Sequence, residues 1–201
     1  MTGPVYRHER STRVLWSAIV MGLVVAACAC GSGTGRDSSV TTFRSRTYGY
    51  SIDHPAGWSA IPATDQLEPG QPPLTGPPIT DVIAPRPDRA VSRMDLPALV
   101  VGAQAVAGGT SIDDWTATVI DIASNQKQCG APASSEKLEI GGDHAVLLDY
   151  PDCPKGTRLN HLWAAVVHGS RGYHIVFFNA LGHETDDRVL LDRMLASVSF
   201  G

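Results

Sequence analysis

Positive charge is in short supply in this sequence. Lys and Arg together number 16 among 201 residues, against 20 Asp and Glu, and the formal net charge is −4. A chain this poor in cations carries no basic field for nucleic acid, which excludes that class of partner. Charged residues of both signs make up 18% of the chain, below the usual quarter. Four cysteines are too few for a small disulfide-built scaffold. No apolar run reaches the roughly 20 residues that a spanning helix requires. What the chain does have is apolar content: 43% hydrophobic residues, enough for a core and too much for wholesale disorder.

The first segment with a readable purpose is at the start. Arg7, Arg10 and Arg13 precede a fourteen-residue stretch, Val14 to Ala27, in which Ser17 is the one polar residue. That is the length and charge order of a secretory signal rather than of a spanning helix. It closes on Val25-Ala26-Ala27-Cys28, small residues before a cysteine, which resembles the bacterial lipobox. The resemblance implies cleavage before Cys28 and a diacylglyceryl group on its thiol. Cys30 is a rival without the branched aliphatic three positions upstream, and a plain signal peptide or an uncleaved anchor are the alternatives. A single acyl chain holds a protein to a membrane only marginally, whereas two give stable attachment. The expected localisation is therefore the extracytoplasmic face of the cell membrane, lipid-anchored, or further out in the envelope.

Loss of residues 1–27 removes three arginines and one glutamate, leaving a mature chain of net charge −6. Such a domain has no electrostatic reason to lie flat on an anionic bilayer. Residues 28–42, rich in Gly, Ser and Thr, read as a flexible tether with a reach of roughly 20 Å. Gly31, Gly33 and Gly35 mimic a phosphate-cradling loop, but no strand precedes them and no helix follows.

Residues 43–201 read as one globular domain of mixed strand and helix. Tyr48 to Asp53 alternates like a half-buried strand, and His54 to Trp58 turns it. Residues 61–87 hold eight prolines, which a central strand cannot accommodate because proline has no amide hydrogen for the ladder. A long loop is expected there, with one short strand at Asp81–Ala84. Its Pro72-Pro73-Leu74 and Gly76-Pro77-Pro78 could serve as a polyproline ligand or as an ordered loop packed on its own domain. Ala98 to Val106 is apolar on both parities. A helix follows, capped by Thr110 or Ser111, with Ile112, Trp115, Val119, Ile122 and Ala123 at helical spacing. Two hairpins come next, Glu136–Ile140 with Ala145–Tyr150, and Leu159–His168 with Tyr173–Leu181. In the second, a four-residue loop sets His168 opposite Tyr173, and both faces are apolar, so both must be covered. A helix over Asp186–Leu195, burying Val189, Leu190, Met194 and Leu195, and a last strand at Ser197–Phe200 complete an α+β fold. The expectation is a mostly antiparallel sheet sandwiched by helices (α/β/α).

Tyr48-Gly49-Tyr50, the Pro55-Ala-Gly-Trp58 turn and the closing helix before Ser197-Val-Ser-Phe200 resemble the PsbP/Mog1-like fold. With the lipobox, the chain is similar to actinobacterial LpqN/LpqT-type lipoproteins. The resemblance implies a non-catalytic binding or assembly module and hands over no catalytic residue and no cofactor.

Each residue that could carry chemistry also has a structural reading. Cys129 and Cys153 stand at element ends in an exported chain, where a disulfide fits; free thiols with a redox or metal role are the alternative. A bridge across that loop is worth roughly 3 kcal/mol by chain entropy. His161 and His174 share a face but sit roughly 20 Å apart in the expected register, and His168 points to the other face, so no metal is expected. His183 is placed to cap the last helix. Ser170 in His168-Gly-Ser-Arg-Gly172 resembles a nucleophile elbow, yet lacks its first glycine and joins two strands. Asp113-Asp114 and Asp186-Asp187 stand where helix starts favour acids. The chain therefore reads as a non-enzymatic adaptor that binds an envelope protein or a lipid, with a carrier of a small apolar ligand as the alternative. A hydrolase is the third reading, and it lacks a nominated nucleophile. If Cys28 is the lipidated residue, labelled palmitate enters the wild-type protein and not Cys28→Ala; labelling of both, or of neither, defeats the assignment.

Overall fold

A computed structural model describes residues 39–71, 78–90, 96–126, 129–180 and 182–201. The expected signal, Cys28, Cys30, most of the tether and residues 72–77 of the proline-rich stretch lie outside the described residues.

The chain opens with strands β1 (Val40–Ser45), β2 (Tyr50–Pro55) and β3 (Ser59–Ile61). After the proline-rich stretch come β4 (Asp81–Ala84), a single helical turn α1 (Pro87–Ala90) and β5 (Ala98–Ala105). Helix α2 (Ile112–Asp121) runs into a π turn at Ile122–Gln126. Two hairpins follow, β6 (Ser134–Ile140) with β7 (Asp143–Pro151), and β8 (Leu159–His168) with β9 (Arg171–Ala180). Helix α3 (Glu184–Ala196) and the short β10 (Ser199–Phe200) end the chain. Seven strands form one antiparallel sheet in the order β3-β4-β5-β9-β8-β7-β6, and β1-β2-β10 form a second.

The domain starts earlier than the expected boundary at 43. Val40, Thr41 and Thr42 belong to β1, paired with Pro55, His54 and Asp53. Three β-branched residues favour the extended backbone, and the Thr42 hydroxyl donates to Asp53 across the pair at 2.5 Å. Glycine and serine content marked this stretch as tether, but these three residues carry strand propensity of their own.

The doubly apolar hairpin organises everything else. Residues Leu159 to Val166 of β8 are all buried. On one face Leu162, Ala164, Val166, Tyr173, Ile175 and Phe177 join a core shared with the small sheet (Tyr50, Ile52) and α3 (Leu191, Met194, Leu195). On the other, Trp163, Ala165 and Val176 meet Trp115, Val119, Ile122 and Ala123. The cover on the first face is thus shared by a helix and three strands, rather than by a helix alone. Within α3 Met194 and Leu195 are buried as expected, Leu190 is half-buried, and Leu191 is buried in place of Val189, which is 46% exposed.

The β8–β9 register is two residues tighter than a four-residue loop would make it. His168 pairs with Arg171, so the turn is Gly169-Ser170 alone, with a positive φ of 58° at Gly169 that suits the first central position of a two-residue hairpin turn. Because the slip is even, every side chain keeps the face assigned to it. Gly172 misled the count. It lies within β9, opposite Gln104 and Val167, and its bareness serves packing: a Cβ there would fall 2.5 Å from the Trp115 indole. That indole lies on β9 and donates from Nε1 to the Tyr173 carbonyl at 3.0 Å.

Ser111 caps α2 in a reciprocal box with Asp114. The described part of the proline-rich stretch is pinned by Ala63 N–H to Asp81 (2.7 Å), Gly70 N–H to Gln104 (2.9 Å) and the Tyr48 hydroxyl to the Ile79 carbonyl. An ordered loop packed on its own domain describes these residues. If Gly172 is bare for the sake of Trp115, Gly172→Ala overpacks the contact and costs about 1–3 kcal/mol in urea unfolding. An unchanged midpoint would show that the indole has room to move.

Candidate functional site

The face of the main sheet that meets α3 changes character at one end. Along β8 the inward residues run Val166, Ala164, Leu162 and then Asn160, and the residue opposite Asn160 on β9 is Asn179. On β7, Asp149 stands opposite Leu162. Three polar side chains therefore continue the row that apolar ones began. Above them are the first two turns of α3, and between lies an open cleft of about 420 Å³, lined by Asp149, Asn160, Leu162, Glu184, Thr185, Arg188 and Val189.

The polar fittings are incompletely used. Asn160 and Asn179 are 4% and 0% exposed. Among the described residues, the Asn160 Oδ1, one Asp149 oxygen and both polar atoms of Asn179 make no hydrogen bond. Buried polar atoms left in this condition cost about 1–3 kcal/mol each. Burial raises the Asp149 carboxyl above its ordinary value, opposed by Asn160 and by the charge of Arg188. Burial likewise raises Asp187, which sits beside Asn179. Arg188 spends its donors elsewhere, Nη2 on Glu136 at 2.8 Å and Nε on Asp192 at 2.7 Å. The arrangement can accept hydrogen bonds from a bound group.

Cys129 and Cys153 lie with their sulfurs at disulfide-bonding distance and their Cα atoms 4.7 Å apart. His161 joins them, since the ligand atoms of all three lie within 4.8 Å of one another, and its ring meets Phe178 edge-on at 4.5 Å. The histidine stretch suggested no such grouping, because the other two members are cysteines outside that stretch, Cys153 in the loop before β8 and Cys129 before β6. With the sulfurs bonded to each other, only an imidazole is left to bind a metal.

The other histidines scatter. His174 pairs with Ala165, four residues along β8 from His161 instead of six, about 13 Å at strand rise. It is wholly buried, its ring 4.7 Å from that of Trp115 and 6.5 Å from Trp163. His168 meets Asp143 at 2.7 Å and stacks on Phe200 at 4.6 Å. That pair has the orienter and base of a triad, but no described hydroxyl or thiol hydrogen-bonds the imidazole, and Ser170 lies in the turn. His183 is the N-cap of α3, yet its side chain makes no capping bond; Asp187 N–H reaches its carbonyl instead. Asp114 is taken up by the capping box.

No protein-family model matches the chain, and no curated protein matches it. Solved structures do. The chain is similar to cyanobacterial PsbP (CyanoP) of Synechocystis, with TM-score 0.57 and 14% identity over 84% of this chain and 96% of that one. It is also similar to LpqN of Mycobacterium tuberculosis, described as involved in cell envelope biogenesis, with TM-score 0.51 and 14% identity over 80% of this chain and 90% of that one. At such identities the likeness establishes the fold, which is PsbP-like. Among the described residues no helix is long and apolar enough to cross a membrane.

Desolvation lowers the His174 imidazole from 6.5 to about 3. The unfolded chain thus takes up a proton below pH 6.5 that the folded chain refuses, so stability is undiminished above 6.5 and falls on acidification by about 1.4 kcal/mol per pH unit toward pH 3. Asp81 and Asp149, both raised, act in the opposite sense just above their unfolded values. The isolating measurement is urea stability against pH for wild type and His174→Leu. The difference between them should widen steadily below pH 6.5, and a constant difference would disprove the assignment.

Proposed function

We propose that this chain is a lipid-anchored, extracytoplasmic, non-catalytic binding or adaptor module of the bacterial cell envelope, of LpqN/LpqT type. The anchor rests on Cys28 behind its short apolar run. The PsbP-like fold supports the class, and the envelope role stated for LpqN supports the location. A tethered domain gains effective concentration near its partners without any added contact.

The observation that carries the binding reading is the contrast within one face. Apolar side chains from three elements fill the space beneath the small sheet and most of α3, whereas the concavity at the end is open, acidic and lined by unspent acceptors. A carrier of apolar ligand needs the reverse, an enclosed apolar space. Photocrosslinkers placed along the exposed edge of α3 in the intact envelope should capture a discrete protein, and the same protein purified under mild conditions should carry no lipid at near-stoichiometric yield. A stoichiometric co-purifying lipid would favour the carrier and sink the adaptor.

A further inference from the structure

We propose that the cleft between α3 and the β7–β8–β9 end of the sheet is a binding site for a primary ammonium group, with Asp149, Asn160 and Glu184 as its acceptors. The inference deepens the binding reading above and rests on it.

The argument starts from what the cleft offers. Asn160 is more than nine-tenths buried, lines the cleft and has an Oδ1 with no hydrogen-bond partner among the described residues. One oxygen of the half-buried Asp149 also has no hydrogen-bond partner among the described residues. Glu184 adds a second carboxylate at the rim, exposed and steadied by the Gly182 N–H at 2.8 Å. Unspent groups of acceptor character call for a ligand that donates, and an ammonium supplies three donors and no acceptor.

Charge decides between a neutral donor and a cation. Arg188 is the one cation lining the cleft, and Glu136 and Asp192 hold it. Its hydrogen bonds go to neither Asp149 nor Glu184, so it acts on the Asp149 carboxylate through its charge alone. The positive end of α3 is already met by Glu184, Asp186 and Asp187 in its first turn. Anions are repelled. A cation gives the unbonded oxygen of the half-buried Asp149 carboxylate a donor, and a charge-assisted hydrogen bond is about twice as strong as a neutral one. Leu162 and exposed Val189, on opposite walls, provide apolar contact for an alkyl stem behind the charge, in the way a lysine stem lies along apolar surface. The volume of about 420 Å³ admits a ligand of that size with room to spare.

Butylammonium is a sufficient probe, titrated into the mature chain at constant ionic strength and followed by amide chemical shifts. Saturable shifts at residues around Asn160, Asp149 and the start of α3, with Kd on the order of 1–10 mM, are the expected result. Butyrate should give none. Asp149→Asn and Glu184→Gln should each weaken binding several-fold and Asn160→Leu about tenfold. Because Glu184 is exposed, its variant keeps the test valid if Asn160→Leu fails to fold. Nα-acetyl-lysine methylamide, run beside butylammonium, tells a peptide lysine from a free amine as the source: tighter binding marks the peptide. Absence of saturation, equal response to butyrate, or unchanged affinity in Glu184→Gln and Asp149→Asn overturns the site. None of those results touches the envelope reading, which fails only on its own crosslinking and lipid measurements.

Discussion

Strand β8 is buried on both of its faces from Leu159 to Val166, and the architecture follows from the need to cover it. A strand with alternating polarity can leave one face to water, but one that is apolar on both parities must be enclosed. Its neighbours β7 and β9 satisfy the backbone, and the side chains then demand a layer above and a layer below. Helix α2 and the π turn after it supply one, through Trp115, Val119 and Ile122. The other is assembled from the two ends of the chain, β1 and β2 from the start, α3 and β10 from the finish. That shared layer holds the termini of the domain together, with Gly201 N–H bonded to the Gly49 carbonyl at 2.9 Å.

Enclosure is complete where the covering layer is broad and incomplete where it narrows. Beneath Leu191, Met194 and Leu195 the sheet presents aliphatic and aromatic residues. Toward the start of α3 the helix stands over Asn160, Asn179 and Asp149 instead. Polar side chains at that edge cost stability unless something bonds them, so the end of the sheet is where folding and binding compete for the same residues. The opposite face shows the other way of holding a polar ring: His174 is boxed by two tryptophans and kept neutral by burial.

Much of this order was legible in residue patterns. The helical repeat of Trp115, Val119, Ile122 and Ala123, the two-faced hairpin, and the short strand among prolines all recur in the structure, because periodicity and proline chemistry act over a few residues. The misreadings have local causes too. Gly172 looked like part of a turn because glycine serves both turns and close packing, and its role depends on Trp115, 57 positions earlier. Val189 looked buried on apolar character, though the helix turns Leu191 inward instead. The cleft had no signal at all: one asparagine at the start of a strand and another near the end of the next are unremarkable until register sets them opposite each other.

The sequence alone determined the two longer helices, the longer strands from β4 onward, the two-faced burial of the β8–β9 hairpin and how few cations the chain has, since each is a property of composition or of neighbours a few positions apart. Tertiary structure alone decided that Asp149, Asn160 and Glu184 line one cleft and that His161 joins the expected pair of Cys129 and Cys153. Those groupings depend on strand register and helix placement, which are set by the summed packing of the whole core and leave no mark on any single segment.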